Sequence, residues 1–270
     1  MKVAFQGEAG AYSEEAIIQG FGPSVEPLPK PYLRDVFDAV EAGEAETGLI
    51  PVENTIEGSI VRSYDLLNER SLKAQGEVIL RVIHCLIANP GVSLTDVTKV
   101  YSHPQALGQC RAFIEEHGLE SVAASDTAGS VRMLKTLGVR DAAAIASSRA
   151  AEVYGMNIIE RGIETHKENY TRFIAIGGED GRPTSDDKTS LVFATDHKPG
   201  TLHMALGAFA RKGIDLTKIE SRPQVGKPWE YLFFVDVVGH RDDPEMREAL
   251  VELRESTRMV KVLGSYPRSA

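Results

Sequence analysis

Four times in its first half the chain passes from a short apolar run, through a polar loop, into a stretch with helical spacing. The loops are Gly7–Ser13, Pro51–Ser59, Ser102–Gln105 and Ser125–Thr127. Apolar runs separated by helices are the sequence form of parallel strands joined by crossover helices, so the pattern predicts an α/β fold with a mostly parallel sheet. In such a sheet these loops all lie at the carboxyl ends of the strands, where ligands bind. Each loop offers free backbone N–H groups and the positive end of a helix dipole. Any one of them reads as an ordinary capped turn, but four together point to a ligand with more than one carboxylate, or a phosphate.

The same periodicity sets the other elements. Val3–Phe5, Gly48–Ile50, Val78–Ala88, Val100–Ser102, Val122–Ser125, Ala142–Ala146 and Phe173–Ile176 read as strands. Helices are expected behind Ser13 as N-cap, over Leu33–Val40 and Ile60–Leu67, from Pro104 to a stop at Gly118, and over Ala128–Leu137 and Ser148–Tyr154. A polar run from Gly177 to Asp187, rich in Gly, Pro and Asp, reads as a linker. Beyond it the order is strand Ser190–Thr195, helix Leu202–Lys212, strands Asp215–Ser221 and Tyr231–Val238, helix Pro244–Ser256, strand Val260–Leu263. That βαββαβ order predicts a ferredoxin-like α+β module, a size more suited to binding a small ligand at an interface than to housing a cleft. Trp229, Tyr231, Phe233 and Phe234 read as a half-buried sheet face, and His84, in an apolar run, as a satisfied core side chain.

The chain has 270 residues, 30 Lys plus Arg against 39 Asp plus Glu, and a net charge of −9. An acidic balance without a basic block argues against a nucleic-acid or membrane partner and for a small molecule or another protein. Cys85 and Cys110 form no CxxC or Cys/His cluster and read as reduced core thiols, so zinc and redox chemistry are not expected. Met1–Gly7 lacks the order of a secretory signal, and no segment reaches the length of an apolar membrane span, so a cytoplasmic protein is expected.

In Asn169-Tyr170-Thr171-Arg172-Phe173 a polar triplet abuts a buried strand. Arg172 can pair with a carboxylate, and the Thr171 hydroxyl can donate to a leaving or attacking oxygen; the alternative is a strand start with a solvated Arg. With Gly7-x-x-Gly10-Ala11-Tyr12-Ser13, Pro51-Val52-Glu53-Asn54 through Glu57-Gly58, Ser102-His103-Pro104-Gln105-Ala106-Leu107 with Gln109-Cys110, and Glu220-Ser221-Arg222-Pro223, this makes five motifs along essentially the whole chain. In that order they resemble the prephenate dehydratases, in the monofunctional form with a C-terminal ACT domain.

The resemblance implies a catalytic domain over 1–178 with two lobes like those of a type II periplasmic binding protein, roughly 1–78 with 156–178, and 79–155. A linker over 179–188 and an ACT domain over 189–270 follow. It implies decarboxylative dehydration of prephenate to phenylpyruvate, a carbon–oxygen lyase step of phenylalanine synthesis. No cofactor or metal is implied, and no chorismate mutase segment is expected ahead of Lys2. Feedback by L-phenylalanine at the ACT domains of a homodimer or homotetramer is implied too. The family's essential threonine falls on Thr171, pictured as a donor to the leaving oxygen, while Arg172 is a carboxylate partner or a support for its loop. Asn54 and Gln109 match cleft-lining amides that orient an anion without neutralising it. Tyr12, Ser13, Glu53, Ser102, His103, Thr127 and Phe173 complete the expected substrate site. Capping readings stand beside Ser13, Glu53, Ser102 and Thr127, a structural hydrogen bond beside His103 and a core role beside Tyr12. Gly200, Thr201, Leu202, Glu220, Ser221, Arg222 and Pro223 are the implied effector residues. The chain departs from the family at Thr201 and His203, where Ala and Val are usual, which touches phenylalanine affinity, and at Asp126, whose place before a helix suggests a cap. Arogenate dehydratase and a non-catalytic cytoplasmic amino-acid sensor are the competing readings.

Overall fold

The computed structural model describes residues 1–224, 226–227 and 229–269. In chain order the elements are β1 (Lys2–Gln6), α1 (Tyr12–Phe21), β2 (Glu26–Lys30), α2 (Leu33–Glu41), β3 (Thr47–Asn54), β4 (Gly58–Ser59), α3 (Val61–Glu69), β5 (Lys73–Arg81), β6 (Cys85–Ala88) and β7 (Lys99–Ser102). There follow α4 (Pro104–Gln109), α5 (Arg111–Glu116), β8 (Glu120–Ala123), α6 (Thr127–Leu137), β9 (Ala142–Ala146), α7 (Ser148–Tyr154), β10 (Asn157–Arg161) and β11 (Tyr170–Gly177). The last six are β12 (Asp187–Ala194), α8 (Thr201–Ala210), β13 (Leu216–Pro223), β14 (Tyr231–Val238), α9 (Pro244–Ser256) and β15 (Met259–Pro267).

Three sheets form among the described residues, in the orders β2-β1-β3-β11-β5 with β4 on β3, β10-β6-β9-β7-β8, and β13-β14-β12-β15. The first two bear out the α/β expectation but are mixed instead of mostly parallel: β1 is parallel to β2 and β3, and β7 to β8 and β9, while β6 is antiparallel to β9 and β10 and β4 to β3. Their side chains alternate as a pleated strand requires. Cys85 and Ile87 face one core with Ala144 and α6, while Leu86 and Ala88 face another with Ile145 and Cys110.

Five features depart from the sequence reading. β2, where the sequence reading had no element, carries Pro27 and Pro29; it is an edge strand, where a missing N–H costs no ladder bond on the open side. β10, expected to return with 156–178 to the first lobe, instead pairs antiparallel with β6 in the second sheet. The run Val78–Ala88, read as one strand, breaks at Val82–His84, and the helix expected from Pro104 to Gly118 is interrupted at Cys110. Ser13 is not the cap of α1, which starts at Tyr12 behind Ala11; the Glu14 carboxylate accepts the Gly10 N–H at 2.7 Å instead. Asp126 does cap α6, accepting the Gly129 N–H at 2.5 Å.

The chain divides into two compact units, Met1–Ile60 with Val78–Phe173, and Val61–Glu77 with Ile174–Ala270. The second contains the βαββαβ module, its strands antiparallel throughout. One face of its sheet packs on α8 and α9 through Leu191, Phe193, Ala205, Phe209 and Leu250. On the other, Tyr64 of α3 meets Phe234 with ring centroids 5.4 Å apart, which is why β12 is buried along its whole length. The sequence boundary near 178 therefore differs from the packing, since α3 and the start of β5 go with the C-terminal module. Lys261 holds them there, its ammonium donating to the carbonyls of Leu67, Asn68 and Arg70 at 3.1, 2.6 and 2.8 Å, where cations suit a helix end. Lys188 and Glu77 add an ion pair at 2.9 Å with both side chains nearly excluded from water.

Gly10 is one place where no other residue fits. Its φ is +86°, its carbonyl accepts the Ser147 hydroxyl at 2.6 Å, and a Cβ there would lie 2.7 Å from the Ala150 Cα. Gly10→Ala combines a left-handed backbone with overlap against main chain, so a loss of about 2–4 kcal/mol is expected. Denaturant unfolding checks it; stability within about 0.5 kcal/mol of the parent would mean the loop shifts freely off α7.

Candidate active site

The break between β5 and β6 is met from two sides. Val82 N–H donates to the main-chain carbonyl of Asn169, beside β11, at 2.7 Å, and His84 N–H to the buried Glu164 carboxylate at 3.0 Å. Asn169 in turn lies just ahead of β11, and Asn54 ends β3. Thus three segments far apart in sequence converge around two amides.

Asn54 fixes the orientation of everything else. Its Oδ1 accepts the backbone N–H groups of Ile56 and Glu57 at 2.9 and 3.0 Å, and since a backbone nitrogen can only donate, Nδ2 must point the other way. Nδ2 donates to Asn169 Oδ1 at 2.8 Å, to the Tyr170 carbonyl at 3.2 Å and to Thr171 Oγ1 at 3.0 Å. Asn169, fully buried, then donates from Nδ2 to Gln109 Oε1 at 3.0 Å. That oxygen also meets His84 Nε2 at 2.7 Å, and His84 Nδ1 meets the Tyr12 hydroxyl at 2.6 Å. Gln109 Nε2 reaches Glu57 Oε1 at 3.3 Å. Four of the expected site residues, Tyr12, Asn54, Gln109 and Thr171, are therefore brought together.

What this arrangement presents outward is donors. Thr171 Oγ1 already accepts from Asn54, so its own proton is left to point elsewhere, and Gln109 keeps one N–H beyond the bond to Glu57. Burial lowers the His84 pKa, against the pull of Gln109 and Glu164, and raises that of Tyr12, with Cys110 and Cys85 adding to the rise. Burial likewise pushes the Cys85 thiol up to about 11 and Cys110 higher still. The cluster is uncharged near neutral pH, and both thiols stay protonated. Among the described residues no three His, Cys, Asp or Glu are grouped to hold a metal ion, and no helix is long and apolar enough to cross a membrane.

The other expected substrate residues are placed differently. Ser102 is fully buried and donates to the Ile145 carbonyl at 2.6 Å, and Phe173, on the same face of β11 as Thr171 but further along the strand, is a core side chain at 2% exposure. His103 caps α4, its Nδ1 accepting the Gln105 N–H at 3.3 Å. Ser13 and Thr127 are half-buried in the first turns of α1 and α6, and Glu53 is half-buried on β3. Arg172, next to Thr171 on β11, points to the opposite face by the same alternation, which suits support of the strand better than contact with Thr171's ligand. Asn169, His84 and Glu164 were not singled out as site residues. The signal for His84 was present: an imidazole in an apolar run needs partners for two nitrogens, and here they are Tyr12 and Gln109.

A family model described as prephenate dehydratase matches residues 3–181, and one described as the ACT domain matches 189–255. The bifunctional chorismate mutase/prephenate dehydratase of Aquifex aeolicus (strain VF5) is 41% identical over 271 residues, 100% of this chain and 74% of that protein. The chain belongs to the prephenate dehydratase family. Arogenate dehydratase/prephenate dehydratase 2 of Arabidopsis thaliana is also 41% identical, over 99% of this chain and 73% of that one. Two solved structures are similar over nearly their whole length. Prephenate dehydratase in complex with L-Phe from Arthrobacter aurescens has a TM-score of 0.90 at 31% identity, covering 99% of this chain and 90% of that one. A structure described as GqqA, a novel type of quorum quenching acylase, has a TM-score of 0.91 at 36% identity, covering 100% and 98%.

In the ACT domain, Gly200, Thr201 and Leu202 line a cavity of about 250 Å³ with His203, Trp229 and Tyr231. Of the aromatic residues read as a sheet face, Trp229, Tyr231 and Phe233 border this cavity, while Phe234 is buried against Tyr64. Thr201 Oγ turns back to the carbonyls of Asp196 and Lys198 at 2.7 and 2.9 Å, so its hydroxyl serves the turn. Glu220, Ser221, Arg222 and Pro223 do not line this cavity; they lie on edge strand β13, where Arg222 pairs with Asp65 of α3 at 3.2 Å.

Because Asn169 is fully buried and bonded at both ends of its amide, Asn169→Ala is expected to cost about 1–3 kcal/mol through the groups it leaves unmet. Urea unfolding measures this, and an unchanged midpoint would show that Asn54 and Gln109 close the gap themselves.

Proposed function

We propose that the chain converts prephenate to phenylpyruvate in the cytoplasm, as the dehydratase of phenylalanine synthesis, with L-phenylalanine as effector at its ACT domain. The observation that carries this reading is the one-way bond from Asn54 Nδ2 to Thr171 Oγ1, which leaves the Thr171 proton as a positioned donor. In the reaction the bond between ring and carboxylate breaks, its electron pair forms the new ring double bond as carbon dioxide departs, and the C–O bond breaks with the hydroxyl oxygen. That oxygen leaves as hydroxide and becomes water with a proton from solvent. Aromatisation supplies the driving force, so the protein has to align the two leaving groups and meet the charge growing on oxygen. The Thr171 O–H and the remaining Gln109 N–H are suited to a substrate bearing two carboxylates, and we assign Thr171 and Gln109 as the groups that touch it. Asn54 acts through Thr171, as a positioning residue. We retain 1–178 as the catalytic domain in sequence, 179–188 as the linker and 189–270 as the ACT domain, with β10 moved to the second lobe.

Donors suit the keto oxygen of prephenate, whereas the ammonium of arogenate calls for an acceptor; relatives carry both names, so both substrates belong in the assay. Amide hydrolysis, the chemistry of an acylase, calls for an activated nucleophile. In this cluster both thiols are held protonated and His84 is bonded to Tyr12 and Gln109. We further propose a homodimer or homotetramer built through the ACT domains, in which a second copy completes the effector site that Gly200–Leu202 and β13 leave on separate surfaces.

Purified protein is expected to form phenylpyruvate from prephenate, and L-phenylalanine to suppress it. Thr171→Ala should lower kcat by about 10²–10³-fold, while Thr171→Ser, which keeps the hydroxyl, stays much closer to the parent. An Ala variant within a few-fold of the parent would remove Thr171 from its role, and inactivity towards both substrates with retained phenylalanine binding would favour a sensor. Since Arg222 ties β13 to α3, which begins seven residues after Asn54, Arg222→Ala is expected to shift the phenylalanine inhibition curve more than the uninhibited rate. Identical inhibition curves would overturn that expectation.

A further inference from the structure

We propose that His84 is a positioning residue for the reaction, held as the neutral Nε2–H tautomer between Tyr12 and Gln109, and that this tautomer keeps Gln109 facing the substrate as a donor. The inference rests on the function proposed above only for its kinetic part.

The tautomer follows from polarity transmitted along the cluster. With Asn54 fixed by the backbone N–H groups of Ile56 and Glu57, Asn169 must offer Oδ1 to Asn54 and Nδ2 to Gln109. Gln109 must then turn Oε1 inward, and a carbonyl oxygen 2.7 Å from His84 Nε2 requires a proton on that nitrogen. A neutral ring leaves Nδ1 as an acceptor against the Tyr12 hydroxyl at 2.6 Å; the Ile83 carbonyl, the other acceptor within reach of that hydroxyl, lies at 3.4 Å, so the Tyr12 proton goes to the much shorter bond with Nδ1. The ring is 2% exposed, its main-chain N–H is tied to Glu164, and Tyr12 packs edge-on against it at 86°, so neither rotation nor a ring flip is open to it.

Reversing this one tautomer would reverse the reach of Gln109. A bare Nε2 would attract the Gln109 NH2 group, turn Oε1 outward and present a carbonyl oxygen to an anionic substrate. Asn169 would then face a donor with its own donor, a clash that the fixed orientation of Asn54 does not let it escape. His84 and Asn169 therefore hold the same Gln109 oxygen inward together, and the His84 tautomer is the one of the two that must be of the right kind for the outward end of Gln109 to attract a carboxylate.

The test is made on the full chain labelled with ¹⁵N-histidine, with His84 assigned by the signal lost in His84→Gln. Long-range ¹H–¹⁵N correlation at about pH 7 should show His84 protonated on Nε2 and bare on Nδ1. An Nδ1–H tautomer, or a doubly protonated ring, overturns the proposal whatever substrate the protein uses. Kinetics on prephenate give the second arm. In His84→Gln the side-chain NH2 still donates to Gln109, and kcat should stay within about 10-fold of the parent; His84→Leu should lose more than about 10²-fold in kcat with KM changed less than about 3-fold. Equal losses in the two variants overturn the positioning role. The spectrum of the parent protein needs no variant to fold beyond the assignment, and a parent inactive on prephenate but showing the Nε2–H tautomer would sink the function and leave the polarity of the cluster standing.

Discussion

Two backbone N–H groups, those of Ile56 and Glu57, set the chemistry of this site by closing on the side-chain oxygen of Asn54. A carboxamide can be turned over at little cost in most settings, because its two ends have nearly the same shape. Here one end is given to donors that have no alternative role. From that single constraint the orientation of Asn169, then of Gln109, and the acceptor state of Thr171 Oγ1 follow in turn, each at ordinary hydrogen-bond distance. Burial matters as much as geometry. An amide as enclosed as Asn169 cannot trade its partners for water, so a reversed orientation would leave donor against donor in the interior.

Charge is kept out of this cluster although carboxylates stand close to it. Glu164 is buried beside His84, yet it is occupied by the main-chain N–H and not by the ring. Glu57 touches Gln109 from the exposed side. A protonated imidazole would bind a dianion strongly but would hold the charged product as well; neutral donors instead favour the moment at which charge grows on the leaving oxygen.

Much of this was legible in the sequence. The strand–loop–helix order gave the α/β unit because apolar periodicity reports which face is buried, and the βαββαβ order gave the C-terminal module for the same reason. Asn54, Gln109 and Thr171 were each visible within motifs, though only the fold places Asn54 and Thr171 at 3.0 Å across 117 residues. The failures have physical causes. β2, which carries Pro27 and Pro29, was not legible, since edge pairing is not encoded in propensity, and the break at Val82–His84 was masked by a continuous apolar run in which the His84 N–H turns to the Glu164 side chain. Ser102 and Phe173 lie inside site motifs but are buried in the core, and a motif does not say where along a strand the interior begins. His84 was read correctly as buried and satisfied; what periodicity did not report was the identity of its partners.

Lys261 carries a consequence for how such a chain can be taken apart. Its ammonium closes the three carbonyls at the end of α3, and Lys188 neutralises the enclosed Glu77 a few residues on. Cutting at the polar run after Gly177 would strip both from a segment that lies more than a hundred residues earlier, stranding a carboxylate in an apolar setting and opening a helix end. The seam visible in the sequence is therefore not a seam in the folded protein. Grafting this regulatory module onto another scaffold would have to bring α3 along, as a guest that belongs by sequence to one partner and by packing to the other.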